Sequence, residues 1–235
     1  MTNLFGIICL IVLGVISFFS LYQLGHAILA ILYKTSPSDQ RRARTTRFLI
    51  LIPAHNEEDG LPETLQSLSA LQYPKDLVHI VVIADRCADD TARVARAGGA
   101  QCLERNEGPG GKGAAMSWAM QVLRKEGVVF DALVIVDADC LADSRLLEAF
   151  DDALAKGHEV QQGYNYLSNP WETPFTRVIA VTSVLRNFLF YGGNRLFRNV
   201  ERNGDVLESI RCGSAWVVGV LGSGRLGVFG FTAAK

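Results

Sequence analysis

Hydrophobic positions fall into two regimes along the chain. From Leu4 to Leu32 there is no Asp, Glu, Lys or Arg, and Ser17, Ser20, Gln23 and His26 are the polar interruptions. Roughly 20 apolar helical residues cross a bilayer core, so this stretch predicts one transmembrane helix with room for tilt. A secretory signal would need a basic start, a shorter apolar core and a small-residue cleavage site. Met1, Thr2 and Asn3 carry no basic side chain, and the run is about twice the length of a signal core. The uncleaved helix is therefore the reading.

After Pro37 the apolar runs become short and alternate with helical patterns. Phe48 to Ile52, His79 to Ala84 and Leu133 to Val136 are continuous apolar runs, ending at Pro53, Asp85 and Asp137, and Gln101 to Leu103 is shorter. Such runs, bounded by polar residues, predict buried parallel strands. Helical stretches lie between them, at about Leu61 to Leu71, Thr91 to Ala97, Ala114 to Lys125 and Ser144 to Lys156. Asp89 and Asp143 read as N-caps, and Gly127 and Gly157 as C-caps. This alternation predicts an α/β sandwich with a mostly parallel sheet. Ligands in open sheets of this class bind at the carboxyl ends of the strands.

Composition narrows the picture. Apolar residues are 49% and charged residues 20% of the 235. That is enough for a packed core, and it excludes a wholly disordered chain. Lys and Arg number 23 against 24 Asp and Glu, so no basic excess points to nucleic acid. The mean hydropathy of +0.19 traces to the front of the chain. Lys34, Arg41, Arg42, Arg44 and Arg47 follow the predicted helix, with Asp39 the one acid among them. Positive flanks stay cytoplasmic, which predicts an outward amino terminus and a cytosolic remainder, and the cluster suits anionic head groups. The five cysteines, Cys9, Cys87, Cys102, Cys140 and Cys212, are odd in number and show no C-x-x-C. They predict a reducing compartment with neither a disulfide framework nor a zinc site.

The candidate chemistry sits at strand ends. Asp137-Ala138-Asp139 puts two carboxylates at i and i+2, leaving a strand on the same side. Hard oxygen ligands of this kind suit Mg²⁺ or Mn²⁺, although acids are also common in solvated turns. Pro53-Ala54-His55-Asn56-Glu57-Glu58 follows the first strand. It reads either as a helix start capped by Asn56, or as a loop in which His55 stacks on a base and Glu57 binds polar edges of a nucleoside. Asp85 can accept a hydrogen bond from a base N–H, whereas Asp89 and Asp90 read as helix-start residues. Gly108-Pro109-Gly110-Gly111-Lys112-Gly113 is not a P-loop, because Gly113 stands where Ser or Thr is needed. Lys112 ahead of a helix can still neutralise a diphosphate.

Taken in order, P-A-H-N-E-E, A-D-R-C-A-D-D-T, G-G-K-G-A-A and V-D-A-D resemble the family-2 glycosyltransferases, over about Arg47 to Tyr166. The membrane-attached branch, with its cellulose-synthase-like and ceramide-glucosyltransferase-like enzymes, is the nearest likeness. The resemblance implies a GT-A fold, a Rossmann-like sandwich preceded here by the transmembrane helix. It implies that Pro53, His55 and Glu57 form the nucleotide-binding loop, that Asp85 contacts uracil, and that Lys112 lies near the diphosphate. Asp139 would bind the metal, and Asp137 would support both metal and nucleotide. Gln162-Gly163-Tyr164 would form a strand on the acceptor side. The implied reaction is inverting transfer from a nucleotide sugar, UDP-linked by preference, to a lipid or polysaccharide acceptor at the membrane, with Mg²⁺ or Mn²⁺ as cofactor and no nucleic acid involved.

The expected divisions are 1–34 anchor, 35–46 basic linker, 47–191 donor-binding domain and 192–235 Gly-rich tail. The E-D motif that supplies the general base in such enzymes belongs roughly a hundred residues beyond the D-x-D and is not found, nor is Q-x-x-R-W. Gly213 to Phe231 holds six glycines and one charge, Arg225, which is poor helix material. A truncated or frame-altered carboxyl terminus would explain this tail. The alternative function is then a nucleotide-sugar-binding fragment without the base. A nucleotidyltransferase ranks low, since its Gly-rich loop should follow the first strand. Phe175 to Leu196, with interspersed arginines, suits an amphipathic helix at the membrane interface.

Overall fold

A computed structural model of the chain describes residues 2–32, 43–157, 161, 163, 165–167, 170–185 and 210–212. Helix α1, Thr2–Leu32, contains the segment Leu4–Gly25, which is long and apolar enough to cross a membrane and is wholly unburied. The α/β unit begins with β1 (Phe48–Ala54), α2 (Leu61–Ser69), β2 (Val78–Asp85), α3 (Thr91–Ala97) and β3 (Gln101–Arg105). It continues with α4 (Lys112–Lys125), β4 (Ala132–Ile135), β5 (Cys140–Leu141) and α5 (Leu146–Ala155). Then come β6 (Asn165–Tyr166), α6 (Pro174–Leu185) and β7 (Ile210–Cys212).

Four parallel strands form the main sheet in the order β3-β2-β1-β4. The order reverses direction at β1, the kind of switch point beside which open α/β sheets bind ligands. Phe48 through Ile52 are 0–1% exposed because both faces of the sheet are covered. Phe48, Ile50 and Ile52 pack with Leu61, Leu65 and Leu68 of α2, Ala95 of α3, and Leu147 and Phe150 of α5. Leu49 and Leu51 pack with Ala115, Met116, Ala119 and Leu123 of α4. Each such aliphatic side chain contributes ~1.5–3 kcal/mol by leaving water. This is the expected sandwich.

Several local expectations shift. β1 runs two residues beyond Ile52, because its pairing with β2 continues to Ala54 opposite Ala84. The N-cap positions of α3 and α5 are Asp90 and Arg145, not Asp89 and Asp143. Asp89 and Asp143 still accept hydrogen bonds from the Thr91 and Arg145 backbone N–H groups. A second sheet orders β5-β7-β6, with β5 antiparallel and β6 parallel to β7. Of Gln162-Gly163-Tyr164, Gly163 is described outside any strand, and Gln162 and Tyr164 lie outside the described residues. The tail from Gly213 and the stretch 186–196 also lie outside them.

Two arginines read as lipid-facing belong to the domain instead. Arg44 pairs with Asp151, at 3.2 Å, and with Asp152. Asp151 is fully buried, and Thr46 donates its hydroxyl to it. Arg47 grips Asp131 through two side-chain bonds of 2.8 Å. Counting charges after a helix cannot see acids a hundred residues away. The cysteine expectation is also corrected. Cys9, Cys87 and Cys102 are free, but Cys140 is in a disulfide. Its Cα partner across β5 and β7 is Cys212, a juxtaposition set by strand register and invisible in spacing.

Candidate functional site

The loops leaving β1 and β2 form one polar edge. Asn56 and Arg86 follow His55 and Asp85 and adopt left-handed backbone, with φ of 56° and 55°. That conformation costs free energy outside glycine, and local bonds offset it. The Asn56 side chain accepts from Ala88 N–H at 2.7 Å, and Arg86 N–H donates to the Arg105 carbonyl at 2.7 Å. Asn56 is thus no helix cap; α2 starts at Leu61, with Gly60 at its N-cap. Glu57 N–H donates to the Thr91 hydroxyl at 2.9 Å, and Glu58 N–H to Asp89 at 3.1 Å. The two loops are laced together.

This lacing presents the side chains. Pro53, Ala54, His55, Glu57, Asp85, Arg86, Gly111, Lys112 and Ala115 line one cleft of about 340 Å³. Its size falls within the range that holds small ligands. His55 Nδ1 lies 2.7 Å from the Asp85 carbonyl. A carbonyl only accepts, so Nδ1 carries the proton and the ring is pinned as that tautomer. Asp85 is 7% exposed, and its two oxygens meet Arg105 at 2.7 Å and Arg86 at 3.1 Å. Arg105 is itself 4% exposed and also donates to the Pro109 carbonyl. A buried pair of this kind is costly to break, ~3–5 kcal/mol when one partner is removed.

The loop from 106 to 111 must pass close to these guanidiniums. A Cβ on Gly108 would stand 3.0 Å from Arg105 Nη2, and one on Gly110 would stand 2.9 Å from Arg86 Nη2. Glycine therefore permits the approach. Gly111, with φ 103°, turns the chain into α4, so that Lys112 opens the helix. The Lys112 ammonium pairs with Asp137.

Asp137 and Asp139 lie beside the cleft rather than in its lining. With Cys140, their ligand atoms cluster within 4.8 Å of one another. The Cys140 sulfur is engaged in its disulfide, which leaves carboxylate oxygens as the ligands on offer. Burial raises the Asp139 carboxyl above its ordinary value; a backbone N–H and Lys112 oppose the rise, and the charge of Asp137 adds to it. Burial also raises Glu57, and the charges of Asp139, Asp89 and Asp137 add to that, against a partial offset from His55. Four acids on three loops, Glu57, Asp89, Asp137 and Asp139, thus share one field. Nothing in the sequence around Arg105, Thr91 and Thr64 marks their contacts at this edge. Arg105 reaches Asp85 only through the register of β2 on β3, where the two are opposite.

Comparison with known proteins finds a matching family model, and similar relatives and solved structures. The model described as "Glycosyltransferase like family 2" matches residues 46–190, more than half of the chain. The chain is 32% identical over 147 residues to the 4,4'-diaponeurosporenoate glycosyltransferase of Staphylococcus haemolyticus, covering 60% of this chain and 38% of that protein. It is 44% identical over 45 residues to the probable glycosyltransferase YdaM of Bacillus subtilis, covering 19% of this chain and 11% of that one. The chain therefore spans well under half the length of these curated relatives. Among solved structures, the mannosyltransferase PcManGT of Pyrobaculum calidifontis, in complex with GDP-Man and Mn²⁺, is 21% identical with a TM-score of 0.45, covering 63% of this chain and 44% of that one. S. aureus TarS is 22% identical with a TM-score of 0.42, covering 55% of this chain and 23% of that one. On the extent of the family match, this chain belongs to glycosyltransferase family 2.

Proposed function

We propose that the chain is a membrane-anchored, metal-dependent, inverting glycosyltransferase that takes its sugar from a UDP-sugar and passes it to a lipid or polysaccharide acceptor. The observation that carries this reading is the single cleft shared by His55, Glu57, Asp85 and Lys112, joined through Lys112 to Asp137. A nucleotide needs an aromatic face, an acceptor for a base N–H and a cation for its diphosphate. His55 offers the ring, Asp85 the carboxylate and Lys112 the ammonium, while Pro53 and Glu57 shape the loop against the nucleoside.

The acid cluster fits a hard divalent cation. Its available ligands are carboxylate oxygens, and their mutual repulsion is relieved by added positive charge. Asp139 and Asp137 would hold Mg²⁺ or Mn²⁺, which neutralises the departing diphosphate as a Lewis acid. Lys112 adds a second positive charge on the same side. The acceptor hydroxyl loses its proton to a base that is not assigned among the described residues.

Membrane attachment through α1 would place the domain on the cytoplasmic side by the charges of Lys34, Arg41 and Arg42, an orientation that the Cys140 disulfide does not favour. Helix α6 supports a second contact. No described residue of α6 is buried, and Trp171, Phe175 and Val178 are 76%, 73% and 64% exposed. Arg177 sits 6.0 Å over the Trp171 ring, a pairing suited to an interface between apolar and charged layers.

The test is calorimetric titration of the detergent-solubilised chain with UDP, with and without Mn²⁺, beside Asp139→Ala. Metal-dependent binding that disappears in the variant is expected. A folded wild-type chain that binds no UDP would overturn the proposal.

A further inference from the structure

One face of α2 grips the segment that carries Asp139. Thr64 is fully buried, and its hydroxyl donates to the Ala138 carbonyl at 2.7 Å, with the Gly60 carbonyl more distant at 3.3 Å. One turn on, the Ser67 hydroxyl accepts from Ala142 N–H at 3.0 Å and donates to the Thr64 carbonyl at 2.7 Å. Residues at i and i+3 share a helix face. That face therefore holds the 138–142 segment on both sides of Asp139. One turn earlier, Gly60 brings the backbone close; a Cβ there would lie 3.5 Å from Asp139 Cα.

We propose that Thr64 and Ser67 are positioning residues for the metal-binding turn, fixing Asp139 through its backbone rather than through its carboxylate. Three points support the assignment. A buried hydroxyl aimed at a carbonyl is a fixed, directional restraint, since the group has one proton to donate. The carbonyl it holds belongs to the residue between the two acids. Carboxylates whose oxygens converge within 4.8 Å repel one another, so bonds from outside the turn help to hold them there. Groups behind metal ligands commonly change affinity 10–100-fold when removed.

The inference rests on the metal reading of Asp137 and Asp139, so the experiment separates the two. Mn²⁺ affinity is measured by electron paramagnetic resonance on the full chain in nanodiscs, for wild type, Asp139→Ala, Thr64→Val, Thr64→Ser and Ser67→Ala. UDP affinity without metal is measured in parallel. Thr64→Val keeps shape and burial while deleting the hydroxyl. It is expected to weaken Mn²⁺ roughly tenfold and to leave metal-free UDP binding unchanged. Thr64→Ser should restore the metal affinity. Ser67→Ala is expected to weaken it less, because Ala142, which it holds, is three residues from Asp139 while Ala138 adjoins it, and it serves as the second variant if Thr64→Val does not fold. Wild type without Mn²⁺ binding would overturn the metal reading, and the clamp with it. Loss in Asp139→Ala with wild-type affinity in Thr64→Val, or in Ser67→Ala where Thr64→Val does not fold, would overturn the clamp alone. Equal loss of metal and metal-free UDP binding in Thr64→Val would also overturn it, by showing a general structural effect.

Discussion

Two pairs of acids stand after strand ends in this chain, and Asp139 of the second behaves in the opposite way to both members of the first. Asp89 and Asp90 follow β2; Asp137 and Asp139 follow β4. Asp89 would be raised by desolvation, but hydrogen bonds from the Thr91 hydroxyl and from the backbone of Thr91 and Glu58 bring it below its ordinary value. Asp90 is lowered by the hydrogen bond and charge of Arg93. Asp139 goes the other way, raised by burial and by its neighbour Asp137. The first pair has protein donors that stabilise its charge, so it works as loop structure. In the second pair Asp137 meets Lys112, and Asp139, despite a backbone N–H and Lys112 nearby, is raised by its burial. Residue type is the same in both pairs, but the spacing is not, i and i+1 against i and i+2; the greater burial of Asp139 separates it from the first pair.

The largest effect that could break this contrast is on donor binding. Asp139→Ala should weaken UDP binding in Mn²⁺ on the order of a hundredfold, just under 3 kcal/mol. Asp90→Ala should change it by no more than about twofold, as an exposed substitution does. Calorimetry on both variants decides it, and equal losses would show that the two pairs share one role. A smaller effect is expected at Thr91, which is buried and receives Glu57 N–H. Thr91→Val strands that donor and removes a bond from Asp89, at a cost of ~1–3 kcal/mol. Thermal unfolding should show the loss in Thr91→Val and much less in Thr91→Ser.

The sandwich was readable because its strands are buried on both faces and so stand out as continuous apolar runs. Thr91–Ala97 matched its expected span, since the flanking polar turns are short. That His55, Glu57, Asp85 and Lys112 share one cleft follows from their places near the ends of β1 and β2 and at the start of α4, which the apolar runs mark in the sequence. What stayed hidden depends on register and packing. Arg105 meets Asp85 across two strands, Thr64 meets Ala138 from the next layer, and Arg44 finds Asp151 from outside the sheet. Each pair is between 20 and 107 residues apart, and nothing local marks either partner. The disulfide of Cys140 escaped for the same reason.

The contrast sharpens further under acid. A carboxyl lowered in the folded state contributes stability that is present above its unfolded value, about 3.9, and lost as pH falls through the folded value. Asp90 belongs to this class, as does Asp131, which is lowered by the hydrogen bonds and charge of Arg47 against some desolvation. Chemical unfolding followed below about pH 4 should lose stability less steeply in the doubly substituted chain Asp90→Asn, Asp131→Asn than in wild type. Superimposable profiles would mean these pairs are too well screened to matter.

The smallest expected effect has the opposite sign. Asp139 is raised in the fold, so the stability it contributes is fully present below the unfolded value and is lost as pH rises through the folded one. At neutral pH the charged carboxylate is therefore a burden on the metal-free protein. Asp139→Asn removes the charge and keeps the shape. It should raise the unfolding midpoint without metal by no more than about 2 °C, because the group is half exposed and screened. Adding Mn²⁺ should reverse the ranking, since wild type gains by mass action what the variant cannot. The crossing of the two proteins on a metal titration is the signature of an acid kept for binding at the expense of stability. A variant less stable than wild type in the absence of metal would place Asp139 with the structural acids instead.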